Sequence, residues 1–121
     1  MTKEIKILTP VGMLGYGISA DDFMRGIDAG ADAVVVDAGS TDPGPYLLGL
    51  AWLGLGKMIV APSALERDLR TILAGCRKRN IPLLIGSAGG PGIGEHVDET
   101  VETIRHIATQ GEGHPGHDSA G

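Results

Sequence analysis

The sequence predicts an α/β domain: a small parallel sheet of three or four strands flanked by helices, in a Rossmann-like or flavodoxin-like arrangement. Three observations carry that expectation. Aliphatic runs recur at Ile5–Leu8, Ala33–Val36 and Ile81–Ile85, and the β-branched Val34-Val35-Val36 suits a strand covered on both faces. Helical spacing of apolar residues appears between these runs. Each run ends in a loop of glycine, proline and small polar residues, which belongs at one edge of such a sheet.

The elements follow in order. Ile5-Lys6-Ile7-Leu8 is the first strand, closed by Thr9-Pro10, and Gly12, Gly15 and Gly17 mark the loop after it. Ser19 with Asp22 three residues on resembles a capping box, and Phe23 and Ile27 share one helical face. Gly30 is placed to end that helix in the left-handed conformation. Ala33–Val36 is the second strand. Strand, helix and strand within about 35 residues form a βαβ unit whose right-handed crossover makes the strands parallel. Thr9 to Gly12 then lies beside Asp37 to Ser40.

The stretch from Tyr46 to Pro62 reads least clearly. A short helix through Leu47, Leu48 and Trp52, then a short strand Met58-Ile59-Val60, fits it. Ser63 and Glu66 form a capping box for the next helix, whose apolar stripe is Leu65, Leu69, Ile72, Leu73 and Cys76. Asn80 is its stop, and Ile81–Ile85 is the third main strand. A glycine-rich loop from Gly86 to Gly94 leads into a last helix over residues 95–110, with Val97, Val101, Ile104 and Ala108 on one face. Residues 1–110 make one domain, and 111–121 read as a disordered Gly/His-rich tail.

Composition narrows the function. The 121-residue chain has a net charge of −5 and no basic cluster with interleaved aromatics, so no nucleic-acid partner is expected. No apolar run reaches the ~18 residues of a membrane span. The N-terminal residues lack a signal-peptide pattern, so a cytoplasmic location is expected. Cys76 is the only cysteine, which rules out an internal disulfide and a cysteine-rich zinc site.

The candidate site is the set of loops. Asp37, at a strand end, is the candidate catalytic residue: a base, a ligand for magnesium, or an acceptor for substrate hydroxyls. Its alternative is a turn residue bonded to its own backbone. For Asp42, before Pro43, the turn reading is the stronger. Thr9, Gly12, Gly39, Ser40 and Thr41 line the same edge. Gly86, Ser87, Gly89 and Gly90 offer backbone N–H groups to an anion, with a helix N-terminus behind them. Their spacing is neither the dinucleotide fingerprint nor a P-loop, and Ser87 lacks the G-x-S-x-G context of a nucleophile. His96, early in the last helix, is either a ligand contact or an exposed helix residue. His106 reads as a surface residue, and His114 and His117 are weak metal candidates. Neither a cofactor nor a metal is specified.

Three segments resemble a known family: Gly12-Met13-Leu14-Gly15-Tyr16-Gly17, then Val36-Asp37-Ala38-Gly39-Ser40-Thr41-Asp42-Pro43-Gly44-Pro45-Tyr46, then Ile85-Gly86-Ser87-Ala88-Gly89-Gly90. They look like the N-terminal region of bacterial proteins of the acyclic terpene utilisation family. The resemblance covers residues 5 to 108 and implies a catabolic role rather than a mechanism. Members of that family are longer, so the chain is expected to be a truncated form or the first domain of a split protein. Residues 50–61 depart from the shorter polar connection the family implies.

Two functions stand open. One is a catabolic enzyme, or its substrate-binding domain, acting on a small anion with a phosphate or carboxylate. The other is a non-catalytic ligand-binding or assembly module. Leu47, Leu50, Trp52, Leu53 and Leu55 suggest a homo-oligomer or a missing C-terminal domain as cover.

Overall fold

The computed structural model describes residues 3–39, Tyr46 and 60–112. Three parallel strands, β1 (Ile7–Leu8), β2 (Ala33–Asp37) and β3 (Leu83–Gly86), lie in the order β1-β2-β3. They are joined by α1 (Ala20–Asp28) and α2 (Pro62–Arg79), and α3 (Gly94–Glu112) follows β3. The α/β class and the parallel sheet are those the sequence predicts. The expected short helix and strand between Tyr46 and Pro62 lie outside the described residues apart from Tyr46 and Val60–Pro62, as does the tail from residue 113; its first two residues, 111 and 112, belong to the last helix, which runs from Gly94 to Glu112 rather than over 95–110.

The sequential strand order means that both crossovers step the same way. Right-handed connections then put α1 and α2 on one face of the sheet. The core agrees: Leu8, Val34, Val36, Leu83 and Ile85 contribute to it from the strands, all of one alternation phase. From the helices come Phe23 and Ile27, then Leu65, Leu69, Ile72 and Cys76, then Ile107. The opposite phase holds Ile5, Ile7 and Leu84, which are 66%, 63% and 56% exposed. The apolar run of β2 suggested cover on both faces; among the described residues the helices cover one.

Local rules account for the element ends. Strand β1 covers only Ile7–Leu8 of the expected Ile5–Leu8, and bonds to the segment between α1 and β2 hold Lys6 beside it. Lys6 N–H donates to Asp32 Oδ2 (2.8 Å), Asp32 N–H to the Lys6 carbonyl (2.7 Å), and Lys6 Nζ to the Ala29 carbonyl (3.2 Å). Ser19 caps α1 by accepting from Asp22 N–H, and Gly30 follows the helix at φ +102°. Asn80 ends α2 in the left-handed conformation, as its residue type suggests.

Two expectations need correction. Ser63 does not cap α2. The helix begins one residue earlier, with Ala61 at the cap position, no side-chain cap bond, and Pro62 in the first turn. Proline supplies a fixed φ where its missing N–H costs nothing, and that preference overrides the Ser-x-x-Glu pattern. Glu66 instead accepts from Arg70 one turn on. The apolar face of α3 is also rotated: Val97 and Val101 are each 37% exposed, while His96, Thr100 and Ile107 are buried. Ile104 of the expected face does pack against the core and Ala108 is half-buried; the first two turns differ because a histidine and a threonine occupy the core positions there.

The caps give a direct check. Ser19→Ala should destabilise the chain by about 1 kcal/mol, the usual cost of a lost N-cap, while Ser63→Ala should change stability by less than about 0.5 kcal/mol. Urea unfolding of the two variants measures both.

Candidate functional site

Three connections meet at the C-terminal edge of the sheet, and backbone bonds stitch them together. Leu14 N–H, in the β1–α1 loop, donates to the Asp37 carbonyl at the end of β2 (2.7 Å). Ala38 N–H donates to the Gly86 carbonyl (2.8 Å), so β2 and β3 stay paired into their loops. Beyond that point the loops touch: a Cβ on Gly39 would lie 2.1 Å from the Gly90 carbonyl oxygen and 2.4 Å from Ser87 Cβ. Only a glycine fits there.

The residue that organises the β1–α1 loop is Asp68, in the second turn of α2. It is 1% exposed. Its Oδ2 accepts from Gly15 N–H (2.7 Å) and Gly17 N–H (3.1 Å), and its Oδ1 from Arg67 Nε (3.1 Å). Arg67 Nη2 also donates to the Gly15 carbonyl (3.3 Å). Three donors thus offset the desolvation of a buried carboxylate, and the loop glycines in turn gain partners for their N–H groups. The sequence carried a readable signal for this. Asp68 falls between Leu65 and Ile72 on the apolar stripe, where a charged residue needs a dedicated set of partners.

The β3–α3 loop has an unusual backbone. Ser87, Gly89, Gly90 and Gly92 all have positive φ, at 51°, 79°, 117° and 71°. Ser87 is the one non-glycine among them, held by a turn that Gly90 N–H closes on its carbonyl (2.9 Å). Such a succession of left-handed residues turns backbone N–H groups out of the normal ladder and leads into the N-terminus of α3.

The sequence-derived candidates are distributed unevenly over this edge. Thr9, Gly12, Asp37, Gly86 and Ser87 are exposed. Gly39, Gly89 and Gly90 are buried, so they shape the loops rather than present a surface. Ser40, Thr41 and Asp42 lie outside the described residues. Asp37 uses its Oδ1 to accept from Gly39 N–H (3.0 Å), the local turn role. His96 is neither exposed nor at the rim. It is 1% exposed and packs beneath Gly89, where a Cβ would come within 2.4 Å of His96 Cβ. A residue so placed supports the loop from below; the one- or two-residue distance from the helix start did not reveal which side of α3 it occupies.

Other features fall away from the edge. A groove between α2 and α3 is lined by Arg70, Leu73, Ala74, Arg77, Ile107 and Ala108. Burial pushes the Cys76 thiol pKa up, as suits a structural cysteine. Among the described residues no three His, Cys, Asp or Glu side chains gather as a metal group, and no helix is long and apolar enough to cross a membrane.

Comparison with protein-family models, curated proteins and solved structures finds no match.

Asp68→Ala should destabilise the protein by about 3 kcal/mol, since it strands buried N–H donors, and Asp68→Asn by less, since an amide oxygen still accepts. Chemical denaturation tests the order. Equal stability of Asp68→Ala and wild type would show that the clamp contributes nothing.

Proposed function

We propose that this domain binds a small anionic metabolite, bearing a phosphate or a carboxylate, at the C-terminal edge of its sheet, and serves as the substrate-binding part of a catabolic enzyme. The observation that carries the reading is the β3–α3 loop, with four left-handed residues between positions 87 and 92 ahead of a helix N-terminus. Ligands of open parallel sheets collect at this edge, and the order β1-β2-β3 is that of one βαβαβ half of a dinucleotide-binding fold. The catabolic part of the proposal rests on the resemblance to the acyclic terpene utilisation family.

A second reading, a binding module without catalysis, draws support from Asp37. Its carboxylate is occupied in its own turn, and His96 lies under the loop rather than beside it.

A thermal-shift screen of inorganic phosphate, nucleotides, acyl-CoA compounds and small carboxylates tests the binding claim. A true ligand well above its Kd should raise the midpoint by several degrees. No shift with any anion would count against the proposal. Asp37→Asn then separates the two readings, because asparagine still offers Oδ1 to Gly39 N–H and keeps the turn. Loss of turnover with an unchanged midpoint assigns chemistry to Asp37. Ligand binding with no chemical change in the ligand, in wild type and variant alike, favours the module.

A further inference from the structure

We infer that Arg67 is the cation that holds the anion at this edge, and that Asp68 is the residue that positions it; the inference rests on the anion-binding reading above. A guanidinium carries five N–H donors in a rigid planar fork. Here Nε donates to Asp68 Oδ1 at 3.1 Å and Nη2 to the Gly15 carbonyl at 3.3 Å. Those two donors share one edge of the group. The other end, with the Nη1 hydrogens and the second Nη2 hydrogen, is left over. The Arg67 side chain is 59% exposed while Asp68 is 1% exposed, so the pair has one buried end and one end in water.

Two backbone amides donate to Asp68 Oδ2, at 2.7 and 3.1 Å, and Arg67 Nε meets Oδ1. The pairing also acts on the arginine: the buried carboxylate and the Gly15 carbonyl fix a long side chain whose rotamer freedom would otherwise be lost on binding. A fork held on one edge and open at its end matches the two coplanar oxygens of a carboxylate or a phosphate. The loop leaves room for such a ligand. Gly17 has no side chain over the guanidinium, and a Cβ there would meet only Nη2, at 3.9 Å. Tyr16, between the two clamped glycines, is 70% exposed and offers apolar surface for the carbon skeleton of the ligand.

Calorimetric titration of the full chain with glycerol phosphate and, separately, succinate at constant ionic strength tests the assignment and distinguishes the two oxyanions. Arg67→Gln should weaken the bound probe by about tenfold or more, the loss expected for one hydrogen bond to a charged group. Arg67→Lys should also weaken it, because an ammonium lacks the fork. If wild type binds a probe and Arg67→Gln binds it equally well, the role of Arg67 is overturned and the anion-binding reading stands. If wild type binds neither probe, the anion-binding reading falls and Arg67 with it. Should Arg67→Gln lower the thermal midpoint, Arg67→Lys decides: weaker binding at a wild-type midpoint supports the assignment, and unchanged binding overturns it. Asp68→Asn should weaken the probe in wild type and have little further effect beside Arg67→Gln. Additive losses in that double-mutant cycle would overturn the positioning role.

Discussion

The buried carboxylate of Asp68 is the constraint on which the upper edge of the molecule depends. A charge with 1% exposure is tolerable only when its oxygens are met by donors; Arg67 of the same helix meets Oδ1, and both donors to Oδ2 come from another element, the β1–α1 loop. The same bonds that satisfy Asp68 therefore fix where Gly15 and Gly17 lie relative to α2. Leu14, next in the chain, passes that position to the end of β2 through its bond to the Asp37 carbonyl. The Gly39 backbone passes it on to Ser87 and Gly90 by close packing. A loop that composition alone would make flexible is thus tied at Leu14, Gly15 and Gly17.

The architecture below this edge is one-sided among the described residues. Both crossover helices lie on the face that presents Val34 and Val36, and the face with Ile5, Ile7 and Leu84 keeps large apolar side chains in water. Sequential strand order requires this arrangement, because each right-handed crossover returns on the same side. Asp37 follows Ala33 and Val35 in alternation, whereas Arg67 and Asp68 belong to the helix layer. The edge thus carries the exposed Asp37 in the phase of the open face, and the Arg67–Asp68 pair in the helix layer.

Much of this was legible in the chain. The three strand positions, the Ser19 cap, the Gly30 and Asn80 stops and the stripe from Leu65 to Cys76 are local, short-range signals, and the fold keeps them, with β1 and β3 each starting two residues later than the aliphatic runs Ile5–Leu8 and Ile81–Ile85. The failures come where two local rules compete or where a polar residue belongs inside. Pro62 outcompetes Ser63 for the start of α2. His96 and Thr100 occupy core positions of α3, so the apolar residues alone gave a rotated face. The role of Asp68 is not local: spacing identifies a stripe but not the distant amides, more than fifty positions earlier, that make a charge acceptable within it. Of the loop candidates, exposed Thr9, Gly12, Gly86 and Ser87 remain at the surface, while Gly39, Gly89 and Gly90 prove to be packing positions.

Backbone-amide NMR during titration with inorganic pyrophosphate tests the anion site most directly. Saturable shifts concentrated in residues 12–17 and 86–94, with the Arg67 side-chain Nε moving alongside, are the predicted result. Shifts confined to the groove around Leu73 and Ile107, or a drift across the whole surface that never saturates, would contradict it.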